Sequence, residues 1–189
     1  MKFYDFSPTV VKTAWYGFKG FMKPVIITAK SIKELKNKTA EVKGFIVLKH
    51  PDEKVFRHAI EKSLVDAVLP NRLSGHDYFH HRWTLIDNVA AKIMSHNKVC
   101  LLFTFNELRS TNGQKRALVW GRMKQEIMIC VKKKVPIIIS SGAEKEADLA
   151  CAQSLLAMGE LLGLKPDESK KALNYAQEKI ISRDKVSLN

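Results

Sequence analysis

The sequence predicts an α/β fold built on parallel strands, and three observations carry that prediction. Six apolar runs of strand length recur along the chain, at residues 2–6, 24–29, 44–49, 64–70, 98–105 and 135–141. They are near-continuous rather than alternating, which suits strands covered on both faces. Segments of helical patterning separate them at intervals of roughly twenty to thirty-five residues, the rhythm of right-handed βαβ units.

Taken in order, KFYDF (2–6) is the first strand and PVIITA (24–29) the second. Ser31-Ile-Lys-Glu34 is a capping-box pattern that opens a helix at Ile32. GFIVLK (44–49) follows, then a helix over Glu53–Lys62 with Asp52 as its cap. LVDAVLP (64–70) is the fourth strand. Trp83, Ile86, Val89, Ala90, Ile93 and Met94 then recur at helical spacing and predict a helix over 83–94. KVCLLFTF (98–105) precedes a helix over Gln114–Lys134, whose closing Lys132-Lys133-Lys134 suits a helix C-terminus. VPIIISS (135–141) is the sixth strand. Two helices end the pattern, Glu144–Leu162 stopped by Gly163, and Pro166–Ile181 opened by proline.

This alternation admits a TIM-like barrel or an open doubly wound sheet. A complete eight-fold barrel takes about 250 residues. With 189 residues and six strands, any barrel is reduced or distorted. No linker, internal repeat or low-complexity stretch interrupts the chain, so residues 1–189 read as one domain.

Composition narrows the function classes. The chain carries 32 Lys+Arg against 19 Asp+Glu, a net charge of +13, and 46% of its residues are hydrophobic. That apolar share excludes wholesale disorder. No apolar run reaches the roughly 18–20 residues that span a bilayer. The opening MKFYDFSPTVVK has no secretory apolar core, and Cys100, Cys130 and Cys151 are dispersed with no CxxC spacing. A cytoplasmic protein with reduced thiols is the expectation, with no membrane partner. The basic excess is local: residues 1–50 and 51–141 each carry a net +7, and residues 142–189 a net −1. A basic globular body points to a polyanion held on a folded face.

The motifs exclude more than they assign. Neither GxGxxG nor GxxxxGK[ST] occurs, and GxSxG is absent, which removes the common nucleotide loops and the hydrolase nucleophile elbow. One cluster, His76-Asp77-Tyr78-Phe79-His80-His81, has metal-like composition, with His76 and His80 at i, i+4. It follows Asn71-Arg72-Leu73-Ser74-Gly75, a loop composition. Trp83 reads as core and Trp120 as core or interface. Trp15, Tyr16, Phe18 and Phe21, interleaved with Lys12, Lys19 and Lys23, form an aromatic and basic stretch that either packs on the domain, stacks bases or docks a protein.

Parallel α/β folds place function at the carboxyl ends of their strands. Here those ends supply Ser7, Lys30, Lys49, His50, Asn71, Arg72, Asn106, Arg109, Ser140, Ser141 and Gly142. The set is cationic and hydrogen-bonding, with hardly a carboxylate. General acid–base or metal-assisted hydrolysis needs acidic groups or ligands there, so the rim reads as a surface for phosphates.

Several strings together resemble a known family. Val135-Pro-Ile-Ile-Ile-Ser-Ser-Gly-Ala143, then Asp148-Leu149 and a helix ending in Leu162-Gly163-Leu164, are similar to the C-terminal hallmark of ribonuclease P protein component 3. That family comprises the archaeal counterparts of the thirty-kilodalton eukaryotic ribonuclease P/MRP subunit. Upstream, Ile27-Thr-Ala-Lys-Ser-Ile-Lys-Glu-Leu35, Lys49-His-Pro-Asp-Glu-Lys-Val-Phe-Arg57 and Val65-Asp-Ala-Val-Leu69 fall in the family's order. The resemblance covers about residues 24–182. Phe56 stands where the family has an asparagine before its arginine. Tyr4-Asp5-Phe6 stands where the related polymerase-and-histidinol-phosphatase barrels carry His-x-His.

The resemblance implies a TIM-like, distorted or reduced barrel of parallel strands surrounded by helices. It implies a protein subunit of the ribonucleoprotein that removes the 5′ leader of precursor tRNA. In such a particle the RNA, with Mg²⁺, carries the chemistry, and this chain binds no cofactor or metal and supplies no catalytic residue. Its partners are the ribonuclease P RNA, component 2 and the other protein subunits, with precursor tRNA nearby. By position, Lys30, Lys49, Arg57, Arg72 and Arg109 are the expected phosphate contacts, and Ser140 and Ser141 the hydrogen-bond donors. The competing reading is a barrel metallophosphoesterase using His50, His76, Asp77, His80 or His81. A third reading is a protein-interaction module with incidental basicity.

Overall fold

The structure, a computed structural model, describes residues 3–6 and 18–186. Its elements are β1 (Phe3–Phe6), β2 (Phe18–Met22), β3 (Val25–Ile27), α1 (Ile32–Glu41), β4 (Ile46–Lys49), α2 (Glu53–Glu61) and β5 (Ala67–Leu69). They continue with α3 (Asn88–His96), β6 (Cys100–Thr104), α4 (Phe105–Arg109), α5 (Gly113–Lys133), β7 (Ile137–Ser140), α6 (Ala152–Leu162) and α7 (Pro166–Val186).

Strand order decides between the two architectures the sequence left open. Strands β3 to β7 form one parallel sheet in chain order, and β1 pairs in parallel with β2. A doubly wound sheet reverses its order at a switch point. With no reversal among β3–β7, right-handed crossovers place the intervening helices on one side, as in a TIM-like barrel. The circle continues through β1, whose buried Asp5 accepts the backbone N–H of Ser141, just past β7, at 2.9 Å.

The pleat divides the apolar strand residues in two. Ile46, Leu48, Val68, Leu101, Phe103, Ile137 and Ile139 face the helices in the main core. Phe45, Val47, Ala67, Leu69, Cys100, Leu102 and Ile138 face inward and meet Ala176 and Tyr175 of α7. That explains the continuous apolar runs: both faces are covered. The α7 side closes the amino ends of the strands. Lys179 lies 3.3 Å from Asp66, just before β5, donates to the carbonyl of Lys98, just before β6, and sits over the Phe45 ring. The carboxyl ends stay open.

Local chemistry sets the helix starts. Ser31 Oγ accepts from Glu34 N–H, Asp52 from Val55 N–H and Asp87 from Ala90 N–H. Asp87 also corrects the expected helix over 83–94. Trp83 and Ile86 belong to the irregular segment before the cap, where Thr84 Oγ1 accepts from Ile86 N–H, and α3 begins only at Asn88. The expected helix over 144–162 is shorter too. Glu146–Asp148 is a single 3₁₀ turn held by Arg109, and α6 starts at Ala152. Strand β2 and the short α4 have no counterpart in the expected elements. Of the N-terminal aromatic stretch, Lys12, Trp15 and Tyr16 lie outside the described residues, as does Ser7, while Phe18 is buried in the core.

Candidate functional site

The carboxyl ends of the strands surround a cavity of about 360 Å³. Its floor is apolar, with Val47, Leu69 and Leu102 from three neighbouring strands, and its rim is polar, with Lys49, His50, Asn106, Glu107 and Glu144. Two carboxylates therefore stand where hardly one was expected. His50 adopts a left-handed backbone (φ 51°) while its N–H donates to Leu69 O at 2.7 Å. Partial burial, then the neighbouring Lys49 ammonium, holds its imidazole below the usual histidine range.

Arg72 lies beneath this rim rather than on it. It is 2% exposed. Its Nε donates to Glu126 at 2.7 Å, Nη1 to Glu107 at 2.7 Å and Nη2 to Leu102 O at 3.1 Å, with its guanidinium 4.5 Å over the Phe103 ring. Burial alone would weaken its charge; the carboxylates of Glu107 and Glu126 outweigh that and hold the proton more tightly. Thr104 donates a further bond to Glu107, and Thr84 one to Glu126. The expected phosphate contact is thus an internal ion pair, because two carboxylates reach it from α4 and α5.

Ser140 and Ser141 also turn inward. Both are fully buried. Ser141 gives its N–H and its hydroxyl to the Asp5 carboxylate, and its Oγ accepts from Ala143 N–H. Ser140 Oγ accepts from Gly142 N–H at 2.9 Å. Gly142 has φ 62°, and a Cβ there would sit 2.6 Å from Thr104 Cβ. The Ser-Ser-Gly-Ala string is therefore a closing turn that seals β7 to β1. Asp5 accepts both bonds of Ser141.

The other four cations stay at the surface. Lys30 is exposed at the start of α1, and its backbone N–H donates to Glu34. Lys49 Nζ is 3.9 Å from Glu144. Arg57 pairs with Asp87 at 2.6 Å, and Arg109 with Asp148. Such exposed pairs contribute only about 0–1 kcal/mol, so a phosphate can displace the carboxylate at small cost.

The His76–His81 segment is a loop braced from below. Arg122 of α5 donates to the carbonyls of Arg72, Ser74 and Gly75 and to Asp77, and lies 5.3 Å over the Trp83 ring. Asp77 is thereby committed to Arg122, Arg82 and the Trp83 N–H. Among the described residues no three His, Cys, Asp or Glu side chains are grouped closely enough to hold a metal ion. Sequence reasoning missed Asp5, Glu107, Arg122 and Glu126. One signal was present: Arg122 and Glu126 interrupt the apolar stripe Val119, Met123, Ile127, Cys130 of α5.

Fold and site together define a TIM-like α/β protein of strongly basic charge, whose mouth pairs its charges internally over an apolar cavity. Residues 23–187 match the family described as RNase P subunit p30, and the chain belongs to that family. The chain is 29% identical over 133 residues to ribonuclease P protein component 3 of Methanosarcina barkeri, covering 70% of this chain and 53% of that one. It is 29% identical over 170 residues to the protein of the same name from Archaeoglobus fulgidus, covering 85% and 79%. The chain thus spans about half the length of the first relative and about four fifths of the second. A chain in the cryo-EM structure of archaeal ribonuclease P with mature tRNA shares the fold, with a TM-score of 0.75 and 22% identity over 98% of this chain and 82% of that one. No described helix is long and apolar enough to cross a membrane.

Proposed function

We propose that this chain is a protein subunit of ribonuclease P, the ribonucleoprotein that removes the 5′ leader of precursor tRNA. Membership of the RNase P subunit p30 family across residues 23–187 carries the reading. In it the RNA, with its own Mg²⁺, performs the hydrolysis. The protein supports the folded RNA and offsets its phosphate charge, and a +13 body suits that role. Lys30, Lys49, Arg57 and Arg109 are the surface cations available to phosphates; Arg72, Ser140 and Ser141 hold the scaffold beneath them. Component 2 is its protein partner within the particle. Three cysteines that form no disulfide accord with work in the reducing cytoplasm.

The test is reconstitution of precursor-tRNA cleavage with and without this chain, in the presence of the RNA and its sister proteins. The particle lacking the chain is expected to cleave more slowly or to need more Mg²⁺. Affinity for the RNA is expected to fall with salt at a slope of about −0.7 to −0.9 for each phosphate contacted. Leader cleavage by the isolated chain under metal chelation, or a particle indifferent to its presence, would overturn the proposal.

A further inference from the structure

The loop that reads in sequence as a metal cluster has another use. We infer that residues 77–82, with the face of α5 beneath them, bind unpaired RNA nucleotides by stacking, a contact separate from the barrel-mouth cavity. The inference rests on the ribonuclease P reading for the identity of its ligand and on this surface for its location.

Phe79 is 97% exposed and Tyr78 63%, yet the loop that carries them is tightly held. Tyr78 N–H donates to His81 O at 2.8 Å. Arg82 N–H donates to Gln125 Oε1 at 2.9 Å, and Gln125 Nε2 returns a bond to Arg82 O at 2.8 Å. Asp77 anchors the other end through Arg122. The rings are therefore displayed on a fixed backbone, which lowers the entropy lost on binding. Tyr78 and His81 already stack, with centroids 4.7 Å apart and planes 22° apart, as a base would on either ring.

Cations border the rings. Arg82 and Lys124 line the open grooves on both sides, and Arg116 lines one of them. The sole carboxylate lining the two grooves is Asp77, which sits between the guanidinium groups of Arg82 and Arg122. Gly121 makes room for this arrangement: a Cβ there would lie 2.3 Å from Arg82 Nε, so the arginine rests directly on the backbone of α5. Bare aromatic rings bordered by Lys124 and Arg116, with one carboxylate shared between Arg82 and Arg122, suit bases flanked by phosphates. A protein interface would place its charges at the rim of an apolar centre, whereas here the exposed Tyr78, Phe79 and Met128 are interleaved with cations and histidines. Paired bases offer no free faces, so the preference is for unpaired strands.

The experiment measures anisotropy of the full chain with a fluorescent single-stranded oligoribonucleotide of about 12 nucleotides, and with its duplex. Phe79→Leu keeps the apolar bulk and removes the π face; it is expected to weaken the single-stranded probe roughly fivefold or more, leaving the duplex unchanged, while Phe79→Trp holds wild-type affinity. Because the ring packs against solvent, both variants should melt as the wild type does. Gly121→Ala, which displaces only the flexible end of Arg82, should weaken the same probe and lower its salt slope. Wild-type affinity of Phe79→Leu for the single strand, or an equal loss for the duplex, overturns the inference. If the wild-type chain also fails to stimulate precursor-tRNA cleavage, the ribonuclease P reading falls separately.

Discussion

Arg72 offers the sharpest test of the site as described. Replacing it with Met keeps most of the volume but removes one charge and three hydrogen bonds, to Glu126, Glu107 and Leu102 O. Glu126 is 1% exposed and loses its only guanidinium, retaining the Thr84 hydroxyl. Removing one partner of a buried pair costs about 3–5 kcal/mol, because the other charge stays in the dark interior. For a domain of this size each kcal/mol lowers Tm by about 2–4 °C, so the drop should be about 6–20 °C. Burial pushes the Glu126 carboxyl above its usual range, and in the wild type Arg72 opposes that push. Without Arg72 the folded state holds a proton that the unfolded state releases, so the cost is largest at neutral pH and shrinks as pH falls toward the ordinary carboxylate range. Thermal and urea unfolding at two pH values measure this. The double variant Arg72→Met with Glu126→Met should lose less than the two singles added together. Were Arg72 a phosphate contact instead, Arg72→Met would melt as the wild type and reduce the salt slope of RNA binding by about one; that outcome would refute the reasoning.

Three further perturbations probe the scaffold. Gly142→Ala imposes a left-handed backbone on alanine and drives its Cβ toward Thr104, so the urea midpoint should fall by an amount equivalent to about 1–3 kcal/mol. Asp87→Ala removes the cap of α3 and the partner of Arg57, at about 1 kcal/mol. Partial burial raises the Asp87 carboxyl, but the Ala90 N–H and Arg57 outweigh it and hold it below its usual value. The wild-type advantage is therefore full above the unfolded carboxylate pKa of about 4 and disappears as pH falls further, which melting at stepped pH values will show. Ser154 lowers the half-buried Cys151 thiol, while burial raises Cys130. Cys151 is expected to react with a thiol reagent in the native protein, Cys100 and Cys130 only after unfolding; simultaneous labelling of all three would contradict the packing.

What the sequence conveyed about this fold is what local patterns convey. Continuous apolar runs identified β3 to β7 because inward and outward faces are both dry, and Ser31, Asp52 and Pro166 marked helix starts through their own chemistry. Strand β2 was hidden because FKGFM breaks its apolar run with Lys19 and Gly20. Trp83 and Ile86 keep helical spacing with α3 and are buried or half-buried beside it, but Asp87 takes the cap position and leaves them outside. Arg72 looked like a rim cation because its partner Glu126 is 54 residues away, and Ser141 looked like a free donor because Asp5 is 136 residues away. Pairing at that separation exists only once the barrel closes.

That closure also relocates the charge. At the mouth, Arg72 answers Glu107 and Glu126, Arg109 answers Asp148, and Lys49 stands beside Glu144. Among the described residues, unpaired positive charge lies on the outside of the helical layer. Lys33 and Lys36 are exposed on α1, and Lys115, Arg116, Lys124 and Lys132 on α5. A TIM-like enzyme gathers its reactive groups at the mouth, where a small substrate is enclosed. A polyanion as large as a folded RNA could not enter a cavity of about 360 Å³, so the proposed RNA contact would lie on the exterior. On the proposed reading, phosphates would then meet the exposed cations of the outer wall and, at the edge of the mouth, Lys49 and Arg109 by displacing their carboxylates.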